Sequence, residues 1–187
     1  MRRIGSIVLI AISMLLPGAA AQAAAEKVDC SRLDLEFLPA DKIERIECEL
    51  LHWSDPDDDA EGATAEIEML TADMGTHVAH VASVVAGKNT YFDKMPVSSK
   101  LRNWKELEGF AVVGTEPEFR RYQIIRFGAS ISETPMSCIG FMKYMGGAIG
   151  QTGSAIGAKG YVAGYDCWRD GAPDRAQIEA TLDAIDD

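Results

Sequence analysis

The chain predicts an α+β fold: an antiparallel sheet with helices packed on one face, a C-terminal helix and two disulfides. Four stretches carry that prediction. Residues 137–168 hold two apolar, aromatic-rich segments around a glycine-rich middle, with Cys138 and Cys167 near the outer ends. Segments of this kind bounded by glycines read as paired strands. Residues 46–53 and 64–71 alternate apolar with charged side chains, as half-buried strands do. At the end, Gly171-Ala172-Pro173 opens a helix whose Ile178, Leu182 and Ile185 form a stripe that needs a surface to cover.

The cysteine pair sets a register. If Cys138 faces Cys167 in an antiparallel pair, then Gly140 faces Tyr165, Met142 faces Ala163 and Tyr144 faces Tyr161. Side chains alternate along a strand, so all eight residues share one face. Gly140 then leaves room for the ring of Tyr165, and the two tyrosines stack across the strands.

From the N-terminus, residues 1–23 have the layout of a secretory signal peptide. Arg2 and Arg3 precede an apolar run, and Ala21-Gln22-Ala23 supplies a small-x-small cleavage site. The apolar run, about 13 residues, is short for a membrane span, so no transmembrane anchor is expected after cleavage. Residues 24–187 are expected to form a single exported α+β domain. All four cysteines lie there. An oxidising compartment and an even count predict two disulfides, Cys30–Cys48 and Cys138–Cys167, the pairing that closes two short loops. Each is worth about 3 kcal/mol by chain entropy. A four-cysteine zinc site is disfavoured because no C-x-x-C pair is present.

Charge is uneven. Beyond residue 23 the chain carries 16 basic and 29 acidic residues, and residues 26–73 alone hold 16 acidic against 4 basic. Such acidity argues against nucleic acid or an anionic membrane surface as partner, and it keeps an exported protein soluble.

The D-x-x-E of Asp41 to Glu44 marks a short helix near 40–45. Residues 46–53 fit a strand by alternation, although Ile43, Ile46, Leu50 and Trp53 also make a helical stripe; the strand is preferred. An acidic loop then leads to the strand at 64–71. Residues 74–87 read as a helix with Thr76 as N-cap, Val78, Val81, Ala82 and Val85 on one face, and Gly87 closing it. Its four valines count against that reading, because β-branched residues favour strands. Residues 88–97 form a loop anchored by Tyr91 and Phe92. Ser98 or Ser99 caps a helix that puts Leu101, Trp104 and Leu107 on one face. Strands at 110–113 and 119–127 flank a turn at Gly-Thr-Glu-Pro-Glu, and a polar loop, 128–136, leads to Cys138.

Four constellations are candidate sites. The loop after Ser54 resembles an EF-hand calcium loop over twelve residues, with Asp55, Asp57 and Asp59 at positions 1, 3 and 5 and Glu66 at 12. It departs from that family at position 6, where Ala60 replaces the turn-forming glycine, and at position 8, where Gly62 replaces an aliphatic residue. A solvated acidic loop is the preferred reading, and calcium is the one cofactor the loop would take. His77 and His80, three apart on the predicted helix, could ligate a transition metal, but H-E-x-x-H spacing is absent. The glycine-rich residues 146–160 contain neither G-x-G-x-x-G nor G-K-[ST], so they read as a hairpin tip carrying Ile149 and Ile156 rather than a nucleotide cradle. Arg120, Arg121 and Arg126 along a strand are expected to pair with carboxylates of the acidic first half. With the cysteines paired and no serine in a G-x-S-x-G context, no catalytic residue is assigned.

These readings converge on an exported, periplasmic or secreted, non-enzymatic binding protein of the cell envelope. Its partner is an unidentified protein or envelope component. The alternatives are a calcium or transition-metal protein using Asp55, Asp57, Asp59 and Glu66 or His77 and His80, and a hydrolase whose site the sequence does not display.

Overall fold

A computed structural model describes residues 25–54, 64–88, 91–149 and 155–186. Among them the chain is mostly β. The strands are β1 (Glu26–Val28), β2 (Glu36–Phe37), β3 (Arg45–Ser54), β4 (Thr64–Asp73), β5 (His77–Ala86), β6 (Glu108–Phe119), β7 (Tyr122–Ile131), β8 (Thr134–Ile149), β9 (Ala155–Trp168) and β10 (Ile185–Asp186). Two helices join them, α1 (Val97–Leu101) and α2 (Arg175–Asp183), together with a 3-10 turn at Cys30–Arg32. Eight strands build one antiparallel sheet in the order β1-β3-β4-β5-β9-β8-β7-β6, and β10 pairs with β2. The expected α+β class, with helices layered on one face, is therefore corrected: two short helices make no layer.

The physical reason lies in β5. Its sequence, HVAHVASVVA, sits between β4 and β9 and is buried on both faces. A strand buried on both sides is apolar at nearly every position and loses the alternation that would identify it. The valines that weakened the helix expectation are its strand-forming residues. No helix forms at 40–45 either, where the chain turns into β3.

Two further corrections concern turns. The Gly-Thr-Glu-Pro-Glu segment lies within β6, and the reversal falls at Arg120 and Arg121, both at positive φ (47° and 68°). Likewise the expected polar loop 128–136 is the end of β7, a two-residue turn at Ser132 and Glu133 (φ 49° and 66°), and the start of β8. Two adjacent residues at positive φ match the strand twist of a tight hairpin. The result is a meander β6-β7-β8-β9 beside a second meander β3-β4-β5.

The β8–β9 register is as expected: Cys138 faces Cys167, Gly140 faces Tyr165, Met142 faces Ala163 and Tyr144 faces Tyr161. Both disulfides, Cys30–Cys48 and Cys138–Cys167, are formed. The space at Gly140, however, is filled by Leu101 rather than by Tyr165; a Cβ there would lie 2.2 Å from Leu101 Cδ1.

Each face of the sheet carries its own apolar cluster. The first face packs Leu70, Val81, Ile139, Phe141 and Val162 beneath Leu33, Leu35, Phe37, Ile178 and Leu182. Glu68 holds the N-terminal cover in place, accepting the backbone N–H groups of Asp34 and Leu35 at 2.9 Å each. Asp174 and Gln177 form a capping box that starts α2. The second face packs Ile125, Phe127, Cys138, Met142, Tyr161, Tyr165 and Cys167 beneath Val97, Leu101 and Leu107. Leu101, Trp104 and Leu107 do reach one cluster, through α1 and successive turns instead of one long helix.

Candidate functional site

On the second face the roof formed by residues 97–107 leaves a cleft over β4 and β5. Strand register builds its floor. Thr71 stands opposite His80, and its hydroxyl lies 2.8 Å from His80 Nδ1. His80 stands opposite Tyr165 across β5 and β9, their rings stacked with centroids 5.5 Å apart. Trp104 closes edge-on against His80 at 5.0 Å and against Tyr165 at 5.7 Å. Tyr161, which lines the same cleft, packs edge-on against Phe92 at 5.2 Å and Tyr144 at 6.2 Å. The cleft encloses about 450 Å³, with Ile67, Met69, Ala82 and Val84 as apolar wall and Glu49, Lys100, Lys105 and Glu106 as charged groups.

Burial governs the titrations here. Desolvation lowers the His80 pKa, and the charges of Glu106 and Glu49 offset this only in part, so the ring is held neutral. Burial likewise lowers the pKa of Lys100, whose ammonium lies 4.2 Å from the Tyr161 ring centre. The Tyr161 hydroxyl is pushed up to about 12 by burial and by Tyr144, and burial with Glu106 raises Tyr165 as well. Both phenols therefore stay protonated. The arrangement offers an aromatic and aliphatic pocket with a few polar groups, the composition of a small-molecule site.

The opposite face carries a buried polar cluster. His77 stacks on Trp168 with ring centroids 5.0 Å apart and an interplanar angle of 6°. Its Nδ1 lies 2.8 Å from Asp166 Oδ1, and its Nε2 lies 3.2 Å from Asp41 Oδ2. Asp166 is fully buried and also accepts the Thr181 hydroxyl at 2.7 Å. Burial lowers the His77 pKa, but the hydrogen bond and charge of Asp166, then those of Asp41, outweigh it and leave the pKa raised. Carboxylates only accept, so both contacts together require both ring N–H groups, which only the charged imidazolium has. The cluster ties β5 and β9 to α2 and to the loop before β3.

His77 and His80 do not meet. On a strand a spacing of three sends the rings to opposite faces, so the helical pairing expected of them is absent. Asp55, Asp57 and Asp59 lie outside the described residues. Glu66 is in β4, exposed, with its carboxylate 3.4 Å from His52 Nδ1 on β3. Among the described residues no three His, Cys, Asp or Glu side chains gather as a metal-holding group. Ile149 and Ile156 lie on β8 and β9, and the tip between them, 150–154, is outside the described residues.

Two of the three arginines pair within the second half of the chain, not with the acidic first half. Arg120 meets Asp183 at 2.8 Å, and Arg126 pairs with Glu116 and donates to the Pro173 carbonyl at 2.7 Å. Arg121 is exposed in the β6–β7 turn. Asp166 was missed in the sequence, although an acidic residue inside an apolar strand is a pattern that asks for a buried partner. The cleft was not legible there, because it depends on how residues 97–107 cross β5.

No family model, no curated protein and no solved structure matches this chain.

Proposed function

We propose that the chain is an exported, periplasmic or secreted, non-enzymatic binding protein that seats a small amphipathic molecule in the His80–Trp104–Tyr161 cleft. The observation that carries this reading is the cleft itself: an aromatic and aliphatic pocket of about 450 Å³ on a sheet face, beneath a cover tied to the sheet by Leu101. Two disulfides favour an oxidising compartment, in keeping with the signal-like residues 1–23. Among the described residues no helix is long and apolar enough to cross a membrane. Binding rather than catalysis is favoured by the engagement of the two histidines nearest the core. Both nitrogens of His77 are held by carboxylates, and Nδ1 of His80 is held by Thr71.

Titration of the protein, purified from an oxidising compartment, with the uncharged fluorophore N-phenyl-1-naphthylamine tests the reading. Saturable binding to one site, with energy transfer from Trp104 that disappears in Trp104→Phe, is expected. A linear, non-saturating titration, or one indifferent to Trp104, overturns it.

A further inference from the structure

We infer that the cleft takes an organic anion: an amphipathic molecule whose carboxylate, phosphate or sulfonate headgroup docks on Lys100 while its apolar body lies along Tyr161 and Val84. This rests on the cleft reading above and names the ligand class for the same site. Lys100 is the last-turn residue of the roof helix α1, half-buried, with its ammonium over the Tyr161 ring. Among the described residues no carboxylate lies within ion-pair distance of it. Lys27, Arg32, Arg45, Arg120, Arg126, Arg169 and Arg175 each meet a carboxylate, and Lys94, Arg102 and Lys105 are exposed to water, so Lys100 is set apart by being half-buried without a carboxylate beside it. A cation withdrawn from water with only a ring beneath it carries an uncompensated desolvation cost, which a bound anion offsets.

Lys105 lines the same cleft, but it is exposed, whereas Lys100 is half-buried with its ammonium over Tyr161, which marks Lys100 as the group an anion would dock on.

The test compares two probes that share an aryl amine body and differ in a sulfonate: 8-anilinonaphthalene-1-sulfonate and N-phenyl-1-naphthylamine. The whole chain is acidic, with a formal net charge of −11, so its general field works against the sulfonate and makes a preference for it a stringent result. The sulfonate should bind about tenfold or more tightly than the uncharged probe. Lys100→Met, which keeps the apolar stem, should erase that advantage and change the affinity for the uncharged probe much less, and Lys100→Arg should retain it. Equal affinity for the two probes, or an equal loss for both in Lys100→Met, overturns the anion assignment while the cleft reading stands. If neither probe saturates, the cleft reading falls and the anion with it.

Discussion

His77 and His80 stand three residues apart on one strand, yet their rings lie on opposite faces of the sheet and their surroundings push protonation in opposite directions. The charged form of His77 is held between Asp166 and Asp41, whereas His80 is kept neutral between Tyr165 and Trp104.

The pH dependence of the two sites is therefore opposite in sign. A pKa raised above the ordinary 6.5 means that the His77 contribution is complete below that value and is lost as pH rises through the folded-state pKa. His77→Gln should cost about 3 kcal/mol near pH 6, because it leaves a buried carboxylate short of a partner, and less at pH 9. For His80 the folded pKa is depressed, so its contribution is complete above 6.5 and is lost as pH falls from there toward the folded-state pKa. His80→Gln should gain on the wild type between pH 7.5 and 5. Urea unfolding from pH 5 to pH 9 checks both, and parallel pH profiles for the two variants would contradict the assignment.

The two disulfides close loops of similar length, with separations of 18 and 29 residues, so chain entropy assigns each about 3–4 kcal/mol. They should fail differently. Cys138–Cys167 bridges two neighbouring strands within the main sheet, and its double serine variant should lower global stability by that amount. Cys30–Cys48 ties the N-terminal cover to β3, and its loss should first open residues 25–38 locally. Hydrogen exchange read segment by segment distinguishes the two. Equal protection of residues 25–38 in both variants would contradict a local role.

Gly140 and Leu101 should be energetically coupled. A Cβ at Gly140 would fall 2.2 Å from Leu101 Cδ1 and 3.2 Å from both Ile125 Cγ1 and Phe127 Cε1. Gly140→Ala should therefore destabilise by about 1–3 kcal/mol, and Leu101→Ala by about 2–5 kcal/mol through the cavity it leaves. The double variant should cost less than the sum by at least about 0.5 kcal/mol, since the new methyl occupies vacated space. A double-mutant cycle by denaturant unfolding gives the coupling, and strict additivity would show that the roof does not rest on Gly140.

Much of the sheet was readable because several of its strands obey simple rules. β3 and β4 each have a wet side, so Glu47, Glu49, Glu66 and Glu68 alternate with apolar neighbours and reveal the strands, even though Glu68 itself is buried under the N-terminal cover. The β8–β9 register followed from the cysteine pair, whereas the glycine opposite Tyr165 makes room for Leu101 instead. β5 was not readable, because burial on both faces removes period two and leaves valines that also satisfy a helical stripe. Residues 97–107 gave the right buried side chains with the wrong backbone: Leu101, Trp104 and Leu107 at spacing three fit a helix and fit consecutive turns equally well. The cleft inherits both difficulties, since its floor is β5 and its roof is that turn segment. The tight hairpins were hidden for a different reason: neither Arg120-Arg121 nor Ser132-Glu133 is a pair that sequence rules associate with positive φ.

That last mismatch makes a prediction of its own. Ser132 and Glu133 hold φ of 49° and 66°, where an L side chain crowds its own backbone at a cost of roughly 1–2 kcal/mol per residue. Asn tolerates the first position and Gly the second, and that dipeptide is the preferred one for such a turn. Glycine brings more freedom in the unfolded chain, which opposes part of the gain. The paired change Ser132→Asn with Glu133→Gly should therefore stabilise by about 0.5–1 kcal/mol net, mainly by favouring the β7–β8 hairpin. Both side chains are exposed, so no core contact is lost in the exchange. A rise in the denaturation midpoint at unchanged slope would show the strain to be local. A fall would mean that the reversal between β7 and β8 is not the two-residue turn described above.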